Sequence, residues 1–274
     1  MPELPEVETI RAGLEPHLVG RTFNRVEIAD GRLTRPHDPV ETAAELTGES
    51  VEALERRGKY LIVRFVSGRV LLIHLRMTGS LLLVRERDAI DDPYRRAVIR
   101  LDNGSDVVYR DVRRFGTWLL FEPGELEPYL DERVGVEPLS RSLTARSLTD
   151  RIARRRSPVK ALLLDQRLFA GIGNIYADEA LWWARLHPLR PGHDVSHEQL
   201  AALVHSVRRA LRLAIARQGA TLRDYRSADG ARGSMQAEFR VYGREGEPCP
   251  RCGHAIEKTR VAGRGTWYCP SCQF

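Results

Sequence analysis

The stretch "YLIVRFVSGRVLLIHL", residues 60–75, decides the fold predicted for the first half of the chain. It contains two apolar runs separated by Ser67-Gly68, a pair that favours a tight turn between strands. Similar short runs recur from "RTFNRVEIAD" (21–30) to "TWLLF" (117–121), and Asn103-Gly104 marks another turn. Many short strands joined by tight turns indicate an antiparallel sandwich or barrel.

Helices are predicted on either side of these strands. Apolar residues recur at spacings of three and four over residues 3–18, which predicts an N-terminal helix. From about residue 140 the pattern is helical, with one apolar face along residues 197–219 and a second helix from about Asn174 to Arg185. Because strands and helices occupy separate parts of the chain, the predicted fold class is α+β.

Charge is distributed unevenly along the 274 residues, which suffice for two domains. Residues 141–274 hold 23 basic and 12 acidic side chains, a net charge of +11, whereas residues 1–140 hold 20 and 25, a net charge of −5. A basic C-terminal half indicates either a polyanionic partner such as nucleic acid or an ordinary solvated surface. No apolar run approaches the roughly 20 residues that span a bilayer, and the N-terminus lacks a signal pattern. We therefore expect a soluble, cytoplasmic monomer without a membrane partner.

Lysine is scarce in this chain. The 43 basic side chains comprise 40 arginines and only Lys59, Lys160 and Lys258. Lysine can exchange a proton or act as an amine nucleophile, whereas arginine stays protonated. This scarcity predicts that Lys59 or Lys160 has a task that arginine cannot perform.

The cysteines form two close pairs near the C-terminus. They are Cys249, Cys252, Cys269 and Cys272, with two residues inside each pair and 16 between the pairs. This spacing matches one structural Zn²⁺ held by four thiolates, which leave no open position for catalysis. Two disulfides are the alternative, which a cytoplasmic location disfavours. Residues 254–268 should form a hairpin that carries Arg260 and Arg264 at its tip, where arginine can contact a phosphate or a groove.

The N-terminal "MPELPEVET" (1–9) admits two interpretations. In the first, Pro2 or Pro5 occupies the first turn of a helix, where proline costs no hydrogen bond, and nearby glutamates complement the helix dipole. In the second, removal of Met1 leaves the secondary amine of Pro2 free. An α-amine titrates at roughly 7.7–8, so part of it is nucleophilic near neutral pH.

Two further stretches could grip phosphates. "GIGN" (171–174) precedes a helix, where backbone N–H groups and Asn174 can bind an anion, although Gly-x-Gly is also common in ordinary turns. "RIARRRSPVK" (151–160) concentrates four arginines with Lys160 and fits phosphate neutralisation or, alternatively, a solvated helix face.

Large apolar residues beside an arginine occur at two strand ends, in "HLRMTGS" (74–80) and "DVRRFG" (111–116). Met77, Arg113 and Phe115 could wedge into a duplex and replace an extruded base. Taken singly, Met77 and Phe115 would more often be ordinary core residues.

Six motifs occur in the order typical of one enzyme family: "PELPEVET", "RRGKYL", "HLRMTGS", "DVRRFG", "GIGNIYADE" and the "GRGTWYC" finger. Over nearly its full length the sequence resembles bacterial formamidopyrimidine-DNA glycosylases (8-oxoguanine DNA glycosylase/AP lyase). The resemblance favours the nucleophile interpretation of Pro2.

The resemblance implies the architecture of the chain and its partner. It implies an N-terminal helix with a two-layered antiparallel β-sandwich (1–130), then a helix–two-turn–helix domain (131–237) and a four-cysteine β-hairpin zinc finger (238–274). Residues 221–236 would form a mobile loop, ordered on binding, that closes over the flipped purine. Double-stranded DNA with a damaged base or an abasic site would lie in the cleft between domains.

The resemblance also implies a reaction. Pro2 would attack C1′ of the damaged nucleotide, expel the base and form a Schiff base, with Glu3 exchanging a proton beside it. β- and δ-elimination would follow, with Lys59 as proton donor and Arg264 assisting the second elimination.

DNA contacts are implied at further positions. Met77, Arg113 and Phe115 would form the intercalating trio, and the implied phosphate contacts are His74, Arg156, Lys160 and Asn174. His74 could instead be a hydrogen-bonded core histidine. Tyr94 stands where the family often has a DNA-contacting histidine, and Thr78 stands at a variable position, so its contact with the damaged base is open.

Two rival functions remain at this stage. One is an endonuclease VIII-type glycosylase for oxidised pyrimidines, which the "PELPEVET" start and the length of residues 221–236 disfavour. The other is a non-enzymatic damaged-DNA-binding protein, which would have no use for Pro2 and Glu3.

Overall fold

Helix α1 (Leu4–Leu18) begins the fold in the computed structural model, which describes residues 1–84 and 92–274. Val7, Ile10 and Leu14 on its apolar face are fully buried, which confirms the helix predicted from their spacing. Burying one such side chain contributes about 1.5–3 kcal/mol. Packing against the sheets that follow therefore stabilises α1.

Two antiparallel sheets follow α1, each four-stranded in the described residues, with strand orders β2-β3-β4-β8 and β1-β6-β7-β5. The strands are β1 (Phe23–Ile28), β2 (Val51–Arg57), β3 (Tyr60–Phe65), β4 (Val70–His74), β5 (Gly79–Val84), β6 (Arg95–Leu101), β7 (Asp106–Asp111) and β8 (Thr117–Phe121). Two separate sheets decide between the sandwich and the barrel, and they confirm the sandwich. Helix α2 (Pro39–Leu46), which was not predicted, follows β1.

The stretch of residues 60–75 supplies β3 and β4, the two inner strands of one sheet. Ile62 pairs with Leu72 across them, and every residue of β4 is buried. An inner strand that is covered on both faces reads as a continuous apolar run rather than an alternating one. Phe23 and Phe65 meet edge to face in the core, 5.4 Å between ring centroids.

The chain divides into two compact units. The first unit contains Met1–Asp131 and Arg217–Ser234, and the second contains Glu132–Ala216 and Met235–Phe274. This division differs from the predicted boundary, which placed residues 131–237 in one domain. In the structure, the carbonyl of Ala228 accepts the N–H of Leu83 at 2.8 Å, and Tyr225 and Ala228 lie in the same core as α1.

The rest of the described chain contains five further α-helices of 6 to 20 residues and a C-terminal hairpin. The first unit also holds α3 (Leu126–Asp131), and the second unit holds α4 (Ala145–Ile152), α5 (Val159–Leu164), α6 (Asn174–Ala184), α7 (His197–Ala216) and the hairpin of β9 (Glu257–Val261) and β10 (Arg264–Tyr268). Among the residues described, no helix combines the length and the apolar character that crossing a membrane requires.

Candidate functional site

The N-terminal segment separates the two prolines that the sequence could not tell apart. Helix α1 begins at Leu4, so Pro5 lies in its first turn, whereas Pro2 precedes the helix. Pro2 and Glu3 are buried, and Met1 before them is exposed. Helix initiation therefore explains Pro5 and leaves Pro2 without a role in the helix.

Glu6 holds the N-terminal segment in place. One oxygen of its buried carboxylate accepts the backbone N–H of Glu3 at 2.8 Å, and the other accepts the N–H of Ala220, also at 2.8 Å. The hydroxyl of Tyr225 donates to the Glu6 carbonyl at 3.4 Å. The sequence suggested only a helix-dipole role for Glu6. In the structure its side chain joins the start of α1 to residues 217–234, for which no local signal exists in the sequence.

Lys59 lies in the tight turn between β2 and β3, after Gly58, whose φ of +59° is the left-handed conformation that glycine adopts readily. Arg56 ties this turn to α1: it donates to the Glu8 carboxylate at 2.9 Å and to the Gly58 carbonyl at 3.1 Å. Lys59 is only 6% exposed. A lysine held at such a depth is suited to exchanging a proton inside a site.

His74, at the end of β4, is buried and hydrogen-bonded. Its Nδ1 accepts the backbone N–H of Arg76 at 2.9 Å, and its ring meets Tyr60 edge to face. Burial, followed by the charges of Arg76 and Lys59, lowers the pKa of His74 from 6.5 to about 3. The ring is therefore neutral and carries its proton on Nε2. This matches the core alternative, and a phosphate contact remains a prediction for Nε2–H alone.

Met77, Arg113 and Phe115, which we call the wedge residues, meet at the surface of the first unit. The Arg113 guanidinium lies 3.0 Å from the Met77 sulfur and stacks over the Phe115 ring at 4.7 Å from its centroid. All three are exposed, Phe115 by 50%. An exposed cluster of apolar side chains around an arginine is unusual on a folded surface, which makes it a candidate binding surface. The alternative that Met77 and Phe115 are core residues is wrong.

Tyr94 lies beside strand β7 and is 37% exposed. The Arg110 guanidinium stacks over its ring at 4.8 Å, and its carbonyl accepts the N–H of Asp111 at 2.9 Å. This guanidinium is paired with the Asp92 carboxylate at 2.6 Å, and a phosphate contact of the Tyr94 phenol remains a prediction.

Lys160, by contrast, is fully buried in the second unit. Its ammonium lies 2.7 Å from the Asp178 carboxylate and donates to the Gly265 carbonyl at 3.0 Å and to the Thr266 hydroxyl at 2.7 Å. Burial raises the pKa of Asp178, and the ammonium opposes that rise. With 0% of its side chain exposed, Lys160 has no surface for a phosphate in this arrangement, so we correct the predicted contact. The lysine instead connects α5 to strand β10.

Asn174 shares a hydrogen-bond acceptor with Lys160. It is the first residue of α6, and its side-chain amide donates to the Gly265 carbonyl at 3.0 Å. Arg156, in contrast, is exposed in the turn between α4 and α5, not on a helix face. Arg264, the first residue of β10, is also exposed and follows the hairpin turn at Ala262-Gly263. Lys160 and Asn174 thus both hold Gly265, the residue next to Arg264.

The four cysteine sulfurs lie within 4.8 Å of one another, and all four thiols are free of disulfides. The Cys249 and Cys272 sulfurs are 4.0 Å apart, and those of Cys252 and Cys269 are 3.5 Å apart. Zn–S bonds of about 2.3 Å place tetrahedral sulfurs at this kind of separation. The arrangement fits one structural zinc ion. Trp182 donates its indole N–H to the Cys249 sulfur at 3.3 Å, which orients that ligand.

Three family models match the chain in sequence order. They are the formamidopyrimidine-DNA glycosylase N-terminal domain (residues 1–118), the formamidopyrimidine-DNA glycosylase H2TH domain (134–226) and a zinc finger found in FPG and IleRS (246–273). Together they cover most of the chain, including the Pro2 segment and all four cysteines.

Individual proteins match over the full length. A formamidopyrimidine-DNA glycosylase of Chloroflexus aggregans is 48% identical and covers 100% of this chain and 98% of its own. A mutant FPG of Lactococcus lactis in complex with Fapy-dG-containing DNA is 38% identical, with a TM-score of 0.93 and 99% of each chain covered. Wild-type FPG of the same organism, bound to DNA containing an oxidised pyrimidine, is 37% identical, with a TM-score of 0.91 and 99% of each chain covered.

Proposed function

The chain belongs to the formamidopyrimidine-DNA glycosylase family, DNA-repair glycosylases that also cleave abasic sites, and from this premise we propose that the Pro2 amine is its nucleophile. The supporting observation is the position of Pro2. It precedes α1, is buried beside Glu3, and is not needed for helix initiation because Pro5 fills that place.

The proposed reaction begins after removal of Met1, which frees the Pro2 nitrogen. This nitrogen bonds to C1′ of the damaged nucleotide, and the bond between C1′ and the base breaks, so the base leaves with the bonding pair and takes up a proton. Opening of the sugar ring then gives a Schiff base between the proline and C1′. Glu3 exchanges the protons of these steps beside the amine.

Two eliminations follow in this proposal. Each removes a proton from the sugar and expels a phosphate, first on the 3′ side and then on the 5′ side. Lys59, buried in the β2–β3 turn, donates a proton. Arg264 stays protonated and stabilises negative charge during the second elimination. Water then hydrolyses the Schiff base, which releases the sugar remnant, restores the Pro2 amine and leaves a one-nucleotide gap.

We further propose that the wedge residues fill the space left by the extruded nucleotide. Their exposure and mutual contacts support this role, because an apolar cluster can stack between base pairs while Arg113 faces the orphaned base. Arg156, Asn174 and the Nε2–H of His74 would contact phosphates. The substrate class favoured by the family is oxidised purines, and the enzyme would act on chromosomal DNA in the cytoplasm.

Borohydride trapping tests the nucleophile. A duplex with one 8-oxoguanine opposite cytosine should give a covalent adduct, and mass spectrometry should locate it on the Pro2 nitrogen. A form that keeps one extra residue before Pro2 should not trap, because its amine is blocked. Pro5→Ala is the matched control and should trap as wild type does.

Two outcomes would contradict the proposal. An adduct on Lys59 instead of Pro2 would assign the amine chemistry elsewhere. Stronger trapping on an oxidised pyrimidine than on 8-oxoguanine would replace the purine preference with an endonuclease VIII-type preference. Intact mass of the wild-type protein, measured beforehand, verifies that Met1 is absent.

A further inference from the structure

The wedge residues stand on two separate loops of the first unit that share one backbone feature. Met77 lies between β4 and β5, and Phe115 lies between β7 and β8. The residue before each is an arginine in the left-handed region: Arg76 with φ of +54° and Arg114 with φ of +60°. A non-glycine residue in this region costs free energy, so surrounding contacts must hold both loops in shape.

Asp111, the last residue of β7, holds both loops at once. Asp111 is only 1% exposed. One oxygen accepts the Thr78 hydroxyl from the first loop and the N–H of Arg113 at 3.2 Å from the second. The other oxygen accepts the N–H of Gly116 at 2.8 Å. One buried carboxylate therefore binds groups from both loops.

Thr78 completes the link between the loops. Its hydroxyl donates to Asp111, and its oxygen accepts the N–H of Arg113 at 2.9 Å. The hydroxyl of residue 78 is therefore engaged inside the protein. A damaged base would have to compete with two hydrogen bonds for it.

The residues beneath the loops leave no room for a side chain at Gly79 or Gly116. A Cβ added to Gly116 would lie 1.7 Å from the Tyr109 hydroxyl oxygen, and one added to Gly79 would lie 2.5 Å from it. Arg114 makes a two-point ion pair with the buried Asp30 carboxylate, at 2.6 and 2.8 Å. The second loop is thus held at its middle by Arg114 and at its end by Gly116.

We propose that Asp111 and Thr78 are positioning residues that join the two loops into a single preformed wedge. This inference rests on the proposed role of the wedge residues. Side chains that are ordered before binding lose less entropy when they enter the duplex, so more binding energy remains for base extrusion. Loss of the link should therefore slow the excision of a paired base more than the cleavage of a site that has no base.

Thr78→Val tests the link, because it keeps the shape of threonine and removes the hydroxyl. Single-turnover excision of 8-oxoguanine should fall about tenfold, the size expected when one or two side chains must be ordered on binding. Cleavage of a preformed abasic site should fall much less. Asp111→Asn should also slow excision more than abasic-site cleavage. Thr78→Ser should excise at close to the wild-type rate because it keeps the hydroxyl.

The matched control is Asp106→Asn, at the opposite end of the same strand, where Asp106 pairs with Arg100. It should excise as wild type does. Met77→Ala and Phe115→Ala measure the wedge role itself. If neither slows excision, the proposed wedge role fails.

Other outcomes would overturn the inference alone. If the alanine variants slow excision while Thr78→Val and Asp111→Asn do not, the wedge acts without the link. If Thr78→Val slows excision and abasic-site cleavage equally and lowers the melting temperature, the hydroxyl serves stability rather than positioning.

Discussion

Two exposed arginines, Arg113 on a loop of the first unit and Arg264 at the start of β10 in the second, are each presented by a segment that rests on a buried carboxylate. Under the first lies Asp111, which accepts uncharged donors: a hydroxyl and backbone N–H groups. Under the second lies Asp178, which accepts the fully buried ammonium of Lys160 and the N–H of Trp267 at 3.1 Å.

The difference determines how the stability of each region should respond when a partner of its carboxylate is removed. Removing one uncharged partner of a buried group costs about 1–3 kcal/mol, whereas removing one member of a buried ion pair costs about 3–5 kcal/mol. The hairpin of β9 and β10 also rests on the zinc site. The hairpin should therefore unfold as one unit when its supports are removed. The wedge residues should instead lose their fixed positions while the first unit stays folded.

Removal of zinc should produce the largest effect. Chelation leaves four thiolates without the ion that holds them, and apparent zinc-binding energies in finger peptides are about 10–16 kcal/mol. The hairpin should unfold, and cleavage should stop after the first elimination because Arg264 loses its position. Gel analysis of the 5′ and 3′ ends of the products, with tryptophan fluorescence reporting on Trp182, measures this. Added zinc should reverse both changes, and an unchanged product ratio in zinc-free protein would contradict the role of Arg264.

Lys160→Met should have the next largest effect. It leaves the Asp178 carboxylate buried without its cation and should lower the free energy of unfolding by about 3–5 kcal/mol, measured by urea titration. Lys258→Met is the control, since Lys258 forms an exposed pair with Glu245 and exposed pairs contribute about 0–1 kcal/mol. Zinc content should stay at one per chain in both variants. Equal stability of the two would show that the buried pair contributes no more than a surface one.

Per pH unit, the pH dependence of stability should show the smallest of these effects, and it tests the burial of His74 in the first unit. The pKa of His74 is about 3 in the folded protein and 6.5 in the unfolded chain. Between pH 3 and pH 6.5 the unfolded chain therefore binds one more proton than the folded protein. The stabilisation from neutral His74 is present above pH 6.5 and is lost as the pH falls towards 3. One proton corresponds to about 1.4 kcal/mol per pH unit.

His74→Gln should remove this slope, and urea titrations at several pH values across that window measure it. His205→Gln, at an exposed position of α7, is the control and should keep the wild-type slope. A wild-type slope in His74→Gln would mean that another group carries the proton.

Local patterns predicted the elements of this fold well. The strand at Val70–His74 and the helix at Leu4–Leu18 follow from apolar runs and spacings that neighbouring residues display. The zinc site follows from the spacing of the cysteines, because each pair lies on one short turn.

Long-range partners could not be predicted in the same way. The positive charge of Lys160 suggested a phosphate, but its hydrogen-bond partner Gly265 lies 105 residues away and no local signal indicates it. Residues 217–234 lack apolar periodicity, and Ala220 contacts Glu6 across 214 residues. The resemblance named Met77 and Arg113 as functional residues, while the buried Asp111 that joins their loops is visible only in three dimensions.

The contact between Glu6 and Ala220 also sets an order of events during synthesis. Ribosomes add about 5–20 residues per second, so Ala220 emerges roughly ten to forty seconds after Glu6. Until then the surroundings of Pro2 are incomplete. In the proposed reaction Met1 must be removed before Pro2 can act, and Pro2 is buried once the first unit has formed. This interval would then give a processing peptidase free access to the bond between Met1 and Pro2. Maturation of the proposed nucleophile would thus be timed by the distance along the chain between two hydrogen-bonded residues.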